Sequence, residues 1–196
     1  EHVANGLNEI RASHGAASIG ALVSPHGTVE ELFLAASLMR GLGSENIDYR
    51  LRHAEFTAPE GVRWLGTSIA SLSQLQSVLV VGSNLRKDHP LFAQRIRQAA
   101  RLGCAVTAIT SRAFLRADDA WAMPLKAAQL AEAGDWAQAL ADVAAAVAAE
   151  KGVAAPVTGQ VTDVAKALAS SLLAGERKAI LLGNAAAHHG QASVLL

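Results

Sequence analysis

Apolar positions along the chain follow two rhythms. Three short runs, 78–81 (VLVV), 105–109 (AVTAI) and 179–182 (AILL), show little or no alternation. Such runs read as strands covered on both faces, as in a parallel sheet between helices. Residues 18–24 (SIGALVS) also read as a buried strand. The second rhythm is helical. After Pro25, His26 and Gly27, Thr28 and Glu31 have capping-box spacing, which predicts a helix starting there. Its inner face takes Leu32, Phe33, Ala36 and Met39, and Gly41 and Gly43 end it. Pro90 fits the first turn of another helix, with Phe92, Ile96, Ala99 and Gly103 inward. From Asp135 an alanine-rich helix sets Trp136, Leu140, Val143 and Val147 on one face. A helix over 161–174 does the same with Val161, Val164, Leu168 and Leu172. Residues 44–66 read as irregular and 68–76 as a short helix. Trp121 and Met123 read as part of a short strand, and the end of the chain as a further helix.

Strand, helix and strand over 78–109 make a βαβ unit with a right-handed crossover. The recurring order predicts an α/β fold, a parallel sheet of βαβ units flanked by helices. Gly152 to Gly159, with Pro156 inside, reads as a linker between sub-lobes 1–152 and 160–196. The chain opens at Glu1, which reads as a cut inside a longer protein.

Composition narrows the function classes. Apolar residues make up 51% of the 196 and aromatics only 4%, so the core is built from Ala, Leu and Val. Lys and Arg total 17 and so do Asp and Glu. Without a basic excess there is nothing to neutralise a phosphate backbone, and non-specific nucleic-acid binding is not expected. The single cysteine, Cys104, excludes an intrachain disulfide and a cysteine-ligated cluster or zinc site. It reads as a small buried hydrophobe. No stretch of eighteen apolar residues exists to span a membrane.

Candidate chemistry gathers after the strands. Gly82-Ser83-Asn84 follows VLVV, where open α/β sheets bind ligands, and a helix follows. The dinucleotide fingerprint needs three glycines, and only one is here. Asn84 fits a left-handed turn or a loop cap equally well. Thr110-Ser111-Arg112 follows the next strand, where Ser111 and Arg112 could hold the 2′-phosphate of NADP. Two readings stay open: an NADP-like site built from Gly82, Ser83, Asn84, Ser111 and Arg112, or a connecting loop without a ligand. His188-His189 could bind metal, but adjacent helical residues do not share a face. Asp118-Asp119 reads as a polar turn. No G-x-S-x-G, HExxH or Walker motif occurs.

Residues 24–56 (SPHGTVEELFLAASLMRGLGSENIDYRLRHAEF), 78–109 (VLVVGSNLRKDHPLFAQRIRQAARLGCAVTAI) and 179–189 (AILLGNAAAHH) resemble, in that order, segments of the molybdopterin oxidoreductases. Their wording is most similar to the large iron–sulfur subunits of bacterial NADH–quinone oxidoreductase, respiratory complex I. The resemblance implies a Rossmann-like, molybdopterin-oxidoreductase-like domain. It implies a parent that carries electrons from NADH towards quinone through iron–sulfur clusters, held by upstream cysteines this chain lacks. It implies partners among the subunits of the peripheral arm, on the cytoplasmic side of the bacterial inner membrane. Three positions depart from the active molybdenum enzymes. Ser37 stands where they carry Lys, six residues after the second Glu of the Glu30-Glu31 pair. Ala54, two residues after Arg52, stands where they supply the metal ligand; a one-residue slip puts His53 there instead. Thr110-Ser111-Arg112 stands where many hold the pterin nucleotide with an Asp-Pro-Arg type signature. The resemblance therefore implies a structural role, with no catalytic residue, metal, molybdopterin or redox centre in this part. Pterin binding without molybdenum is the remaining alternative.

Overall fold

The computed structural model describes residues 1–49, 65–115 and 121–195. The chain forms two compact units, Glu1–His53 and Ala54–Leu196, a division that differs from the one expected at 152–159.

The first unit holds α1 (His2–His14), α2 (Val29–Leu42) and a two-stranded parallel sheet of β1 (Ala21–Leu22) and β2 (Ile47–Asp48). α2 begins as the sequence predicts. Thr28 Oγ1 accepts from the Glu31 N–H at 3.2 Å, and Glu31 Oε2 accepts from the Thr28 N–H at 2.8 Å. Its inner face is narrower than expected: Met39 is buried, Leu32 and Ala36 are half-buried, and Phe33 is 68% exposed. The expected strand over 18–24 shrinks to two residues. A 3₁₀ turn at Ala16–Ser18 takes its beginning, and Leu22 is exposed.

The second unit is built on a four-stranded, all-parallel sheet in the order β5-β4-β3-β6. The strands are β3 (Ser77–Val81), β4 (Ala105–Thr110), β5 (Ala127–Leu130) and β6 (Lys178–Leu182). Every residue of β3 is buried, as its unbroken apolar run demands. Alternation sorts the side chains into two cores. Val78, Val80 and Val106 meet Leu72, Ile96 and Trp121 on the face covered by α4 (Pro90–Arg101), which follows the short α3 (Leu85–Asp88). Leu79, Val81 and Ile109 meet Trp136, Val143 and Leu168 on the face covered by α5 (Trp136–Lys151) and α6 (Asp163–Leu173). Two short helices, α7 (Asn184–Ala187) and α8 (Ala192–Leu195), follow β6.

Local chemistry explains where these elements depart from expectation. Trp121 is buried, and its indole N–H donates to the Phe114 carbonyl at 3.0 Å. That anchor holds 121–126 as an irregular crossing, and the strand starts at Ala127. Gly103 lies beyond α4 in a left-handed turn, so Ala93 completes the buried stripe with Ile96 and Ala99. The Thr162 hydroxyl caps α6 by accepting from the Ala165 N–H at 3.1 Å. The buried face is then Ala165, Leu168, Ala169 and Leu172, while Val161 and Val164 stay exposed. The expected linker is a docked strap. Gly159 lies so close to Ala141 and the Asp142 N–H of α5 that an added Cβ would collide with that backbone. The buried Asp142 carboxylate accepts from the Gln160 N–H and from Gln138 Nε2, both at 2.8 Å.

Candidate functional site: two interlocked loops at the sheet's switch point

The connection leaving β3 covers one face of the sheet, and the helices leading into β6 cover the other. In open α/β sheets ligands bind at such a reversal, outside the carboxyl ends of the strands. Here two loops meet at that place. Gly82-Ser83-Asn84 leaves β3, and Gly183 leaves β6. Gly82 has φ 60°, a left-handed conformation suited to glycine. Its N–H donates to the Ile109 carbonyl at 3.0 Å, and its own carbonyl accepts from the Ala185 N–H at 3.1 Å. A Cβ on Gly82 would lie 2.6 Å from Trp136 Cζ3 and 3.0 Å from the Ala186 N–H nitrogen. A Cβ on Gly183 would overlap the Ser83 side chain. The two loops are therefore interlocked, with Trp136 and α7 filling the space beside Gly82.

Two donors of the loop are engaged from within. Ser83 is fully buried, and its hydroxyl donates to Asp88 Oδ2 at 2.7 Å. The Asn84 N–H donates to the same oxygen at 3.1 Å. A carboxylate thus stands where the loop's donors would face an anion, and its charge opposes a phosphate there.

Ser111 follows β4 and Arg112 begins the 3₁₀ turn Arg112–Leu115, at the same end of the sheet as Gly82. Arg112 is exposed and Ser111 half-buried. Thr110 is fully buried, and its hydroxyl has no hydrogen-bond partner among the described residues. His189 lies 6.1 Å from the Trp136 ring, its Nδ1 accepting from the Gln191 N–H at 3.1 Å. Among the described residues no group of three His, Cys, Asp or Glu side chains converges as a metal site. Cys104 is buried, and burial pushes its thiol pKa up, away from thiolate chemistry. Ser37 sits exposed on α2. Arg52, His53, Ala54, Asp118 and Asp119 lie outside the described residues.

Sequence reasoning found the loop and missed what closes it. Asp88 and Ala186 carried no local signal, and Trp136 read only as part of a helix's inner face. Only Gly183-Asn184, a second strand-ending glycine, hinted at a matching loop.

Residues 1–189 match the family profile of molybdopterin oxidoreductase, and the chain belongs to that family. Among similar proteins is a probable oxidoreductase, YjgC, of Bacillus subtilis, 32% identical over 107 residues. The G subunit of NADH-quinone oxidoreductase from Rickettsia felis is 31% identical over 102 residues. The alpha subunit of NADPH-Fe(3+) oxidoreductase from Geobacter sulfurreducens is 33% identical over 105 residues. These alignments take in 51%, 52% and 50% of this chain but only 11%, 15% and 12% of the respective relatives. Among the described residues no helix is long and apolar enough to cross a membrane.

Proposed function

We propose that the chain is a structural domain of a large iron–sulfur subunit in an NADH–quinone oxidoreductase, akin to the Rickettsia felis relative. Its Rossmann-like sheet keeps the connecting loop of a ligand-binding fold and packs Trp136 and Ala186 against the glycine of that loop. The parent subunit carries electrons from NADH towards quinone through iron–sulfur clusters held elsewhere. This part holds no molybdopterin and no redox centre; it packs against the cluster-bearing domains and other subunits of the peripheral arm, at the cytoplasmic face of the membrane. The observation that supports the reading is the interlock of Gly183 with Ser83, backed by Trp136 and Ala186 beside Gly82. The Asp88 carboxylate on the loop donors adds to it.

The test is thermal unfolding with NADH, NADPH and guanine nucleotides at millimolar concentration. A ligand at one hundred times its Kd stabilises by about 2.7 kcal/mol. For a chain of this size that is a rise of roughly 5–10 °C. The expected result is no shift with any of them, and a rise of that size with one would overturn the reading. A second reading, an NADP-like site using Gly82, Ser83, Asn84, Ser111 and Arg112, draws on the exposure of Arg112 at the carboxyl end of β4. Under that reading NADPH alone stabilises, and Arg112→Ala abolishes the effect.

A further inference from the structure

α4 carries an arginine that nothing in the fold explains. Residues 85–101 hold five cationic side chains, Arg86, Lys87, Arg95, Arg97 and Arg101, against one carboxylate, Asp88, in a chain with no net charge. Asp88 is engaged by the Ser83 hydroxyl and the Asn84 N–H. Arg97 and Arg101 are exposed, one helical turn apart on the same face, and have no carboxylate partner among the described residues. Like charges at this spacing repel and weaken a helix. Arg101, in the last turn, gains from the helix dipole. Arg97 lies outside that turn, and nothing there offsets the repulsion. Beside it opens a pocket of about 200 Å³, where Arg86, Gln94 and Arg97 surround the buried Ala93 and Trp121.

We infer that this face docks an acidic helix of a partner protein, whose carboxylates, one turn apart, pair with Arg97 and Arg101 beside the pocket. Three observations choose this occupant. Arg97 and Arg101 are separated by about 6 Å along the helix axis. Side chains four residues apart on a second helix have the same spacing, so guanidinium and carboxylate can pair one to one. α4 uses arginine and no lysine, and the guanidinium fork matches a carboxylate with two parallel hydrogen bonds. The ring of Trp121 is no platform for a nucleic-acid base, since the residue is only 3% exposed. The surface is read from charge and spacing, and it stands whether or not the functional reading above holds.

The test is fluorescence anisotropy on the 196-residue chain. The probe is a labelled helical peptide of alanine and glutamine, about 20 residues long, with glutamates four residues apart. It is expected to bind with a Kd that rises with salt, whereas its counterpart with glutamine at those positions does not bind. The double variant Arg97→Gln, Arg101→Gln weakens binding about tenfold. Arg95→Gln is the control. It removes the same charge from the same helix, but two positions from Arg97 it faces another side, and it leaves the Kd within about twofold. No binding at millimolar peptide overturns the inference. So does an equal loss in Arg95→Gln, which means that net charge alone is read. Tighter binding of polyuridylate or of phosphatidylserine vesicles through the same two arginines overturns it as well. Stability gives an independent arm. Arg97→Gln removes a repulsion, so the Tm of the free chain is expected to stay or rise; a fall assigns Arg97 a structural role and overturns the inference.

Discussion

Gly183 has an ordinary φ of −82°, so its backbone would accept any residue; the Ser83 side chain and the Gly82 carbonyl oxygen stand in the way. Gly82 carries both constraints, a positive φ and the Trp136 ring. Gly183→Ala should therefore cost about 1–3 kcal/mol through overpacking. Gly82→Ala should cost more, since left-handed strain adds to the clash. Chemical denaturation of the two variants checks the order; equal stability to the parent would mean that the loops part easily and the crevice is not tightly closed. These contacts were not legible in the sequence. Ser83 and Gly183 lie far apart along the chain, and spacing rules act only within a turn or a strand. Asp88 was hidden for a different reason. It reads as one more polar residue of a charged turn, and only the fold of α3 brings its carboxylate back onto Ser83 and Asn84.

Elements were more legible than contacts wherever hydrophobicity alone decides them. VLVV and AVTAI became the buried β3 and β4, because a strand covered on both faces has no use for alternation; AILL became β6 but not the buried strand its run predicts, since its residues are half-buried or exposed at the sheet's edge. Capping chemistry located α2 from Thr28 and Glu31. SIGALVS failed because its apolar content is diluted by Ser and Gly and its surviving strand is only two residues long. The segment after Gly152 reads as a linker from its glycines and proline, the residues that also let a chain lie flat against a helix. A prediction belongs here. Asp142→Ala removes the acceptor for the Gln160 N–H and for Gln138. The loss should be about 1–3 kcal/mol, with faster proteolysis within 152–160; Asp142→Asn, which keeps an acceptor oxygen, should lose less. Proteolysis unchanged in Asp142→Ala would show that Gly159 alone holds the strap.

Across the whole molecule, order is unevenly distributed. α1 buries none of its residues, whereas β3 buries all of them. Amide exchange in α1 should outpace that in β3 by at least about a hundredfold, because exposed helices open locally and central strands open only with the sheet. Comparable rates would point to a covering for α1 that contacts among the described residues do not supply. The strand order carries another consequence, this one in time. β3 is the first strand of its sheet to be made and sits inside it, with Ser77 opposite Ala105 on one side and Lys178 on the other. During synthesis at about 5–20 residues per second, the first neighbour arrives within a few seconds. The second follows about seventy residues after the first, on the order of 4–15 s. Throughout that interval the most apolar strand of the protein has one open side. Nascent-chain holdases and translation speed between residues 110 and 178 therefore bear directly on how much of this protein reaches its native state.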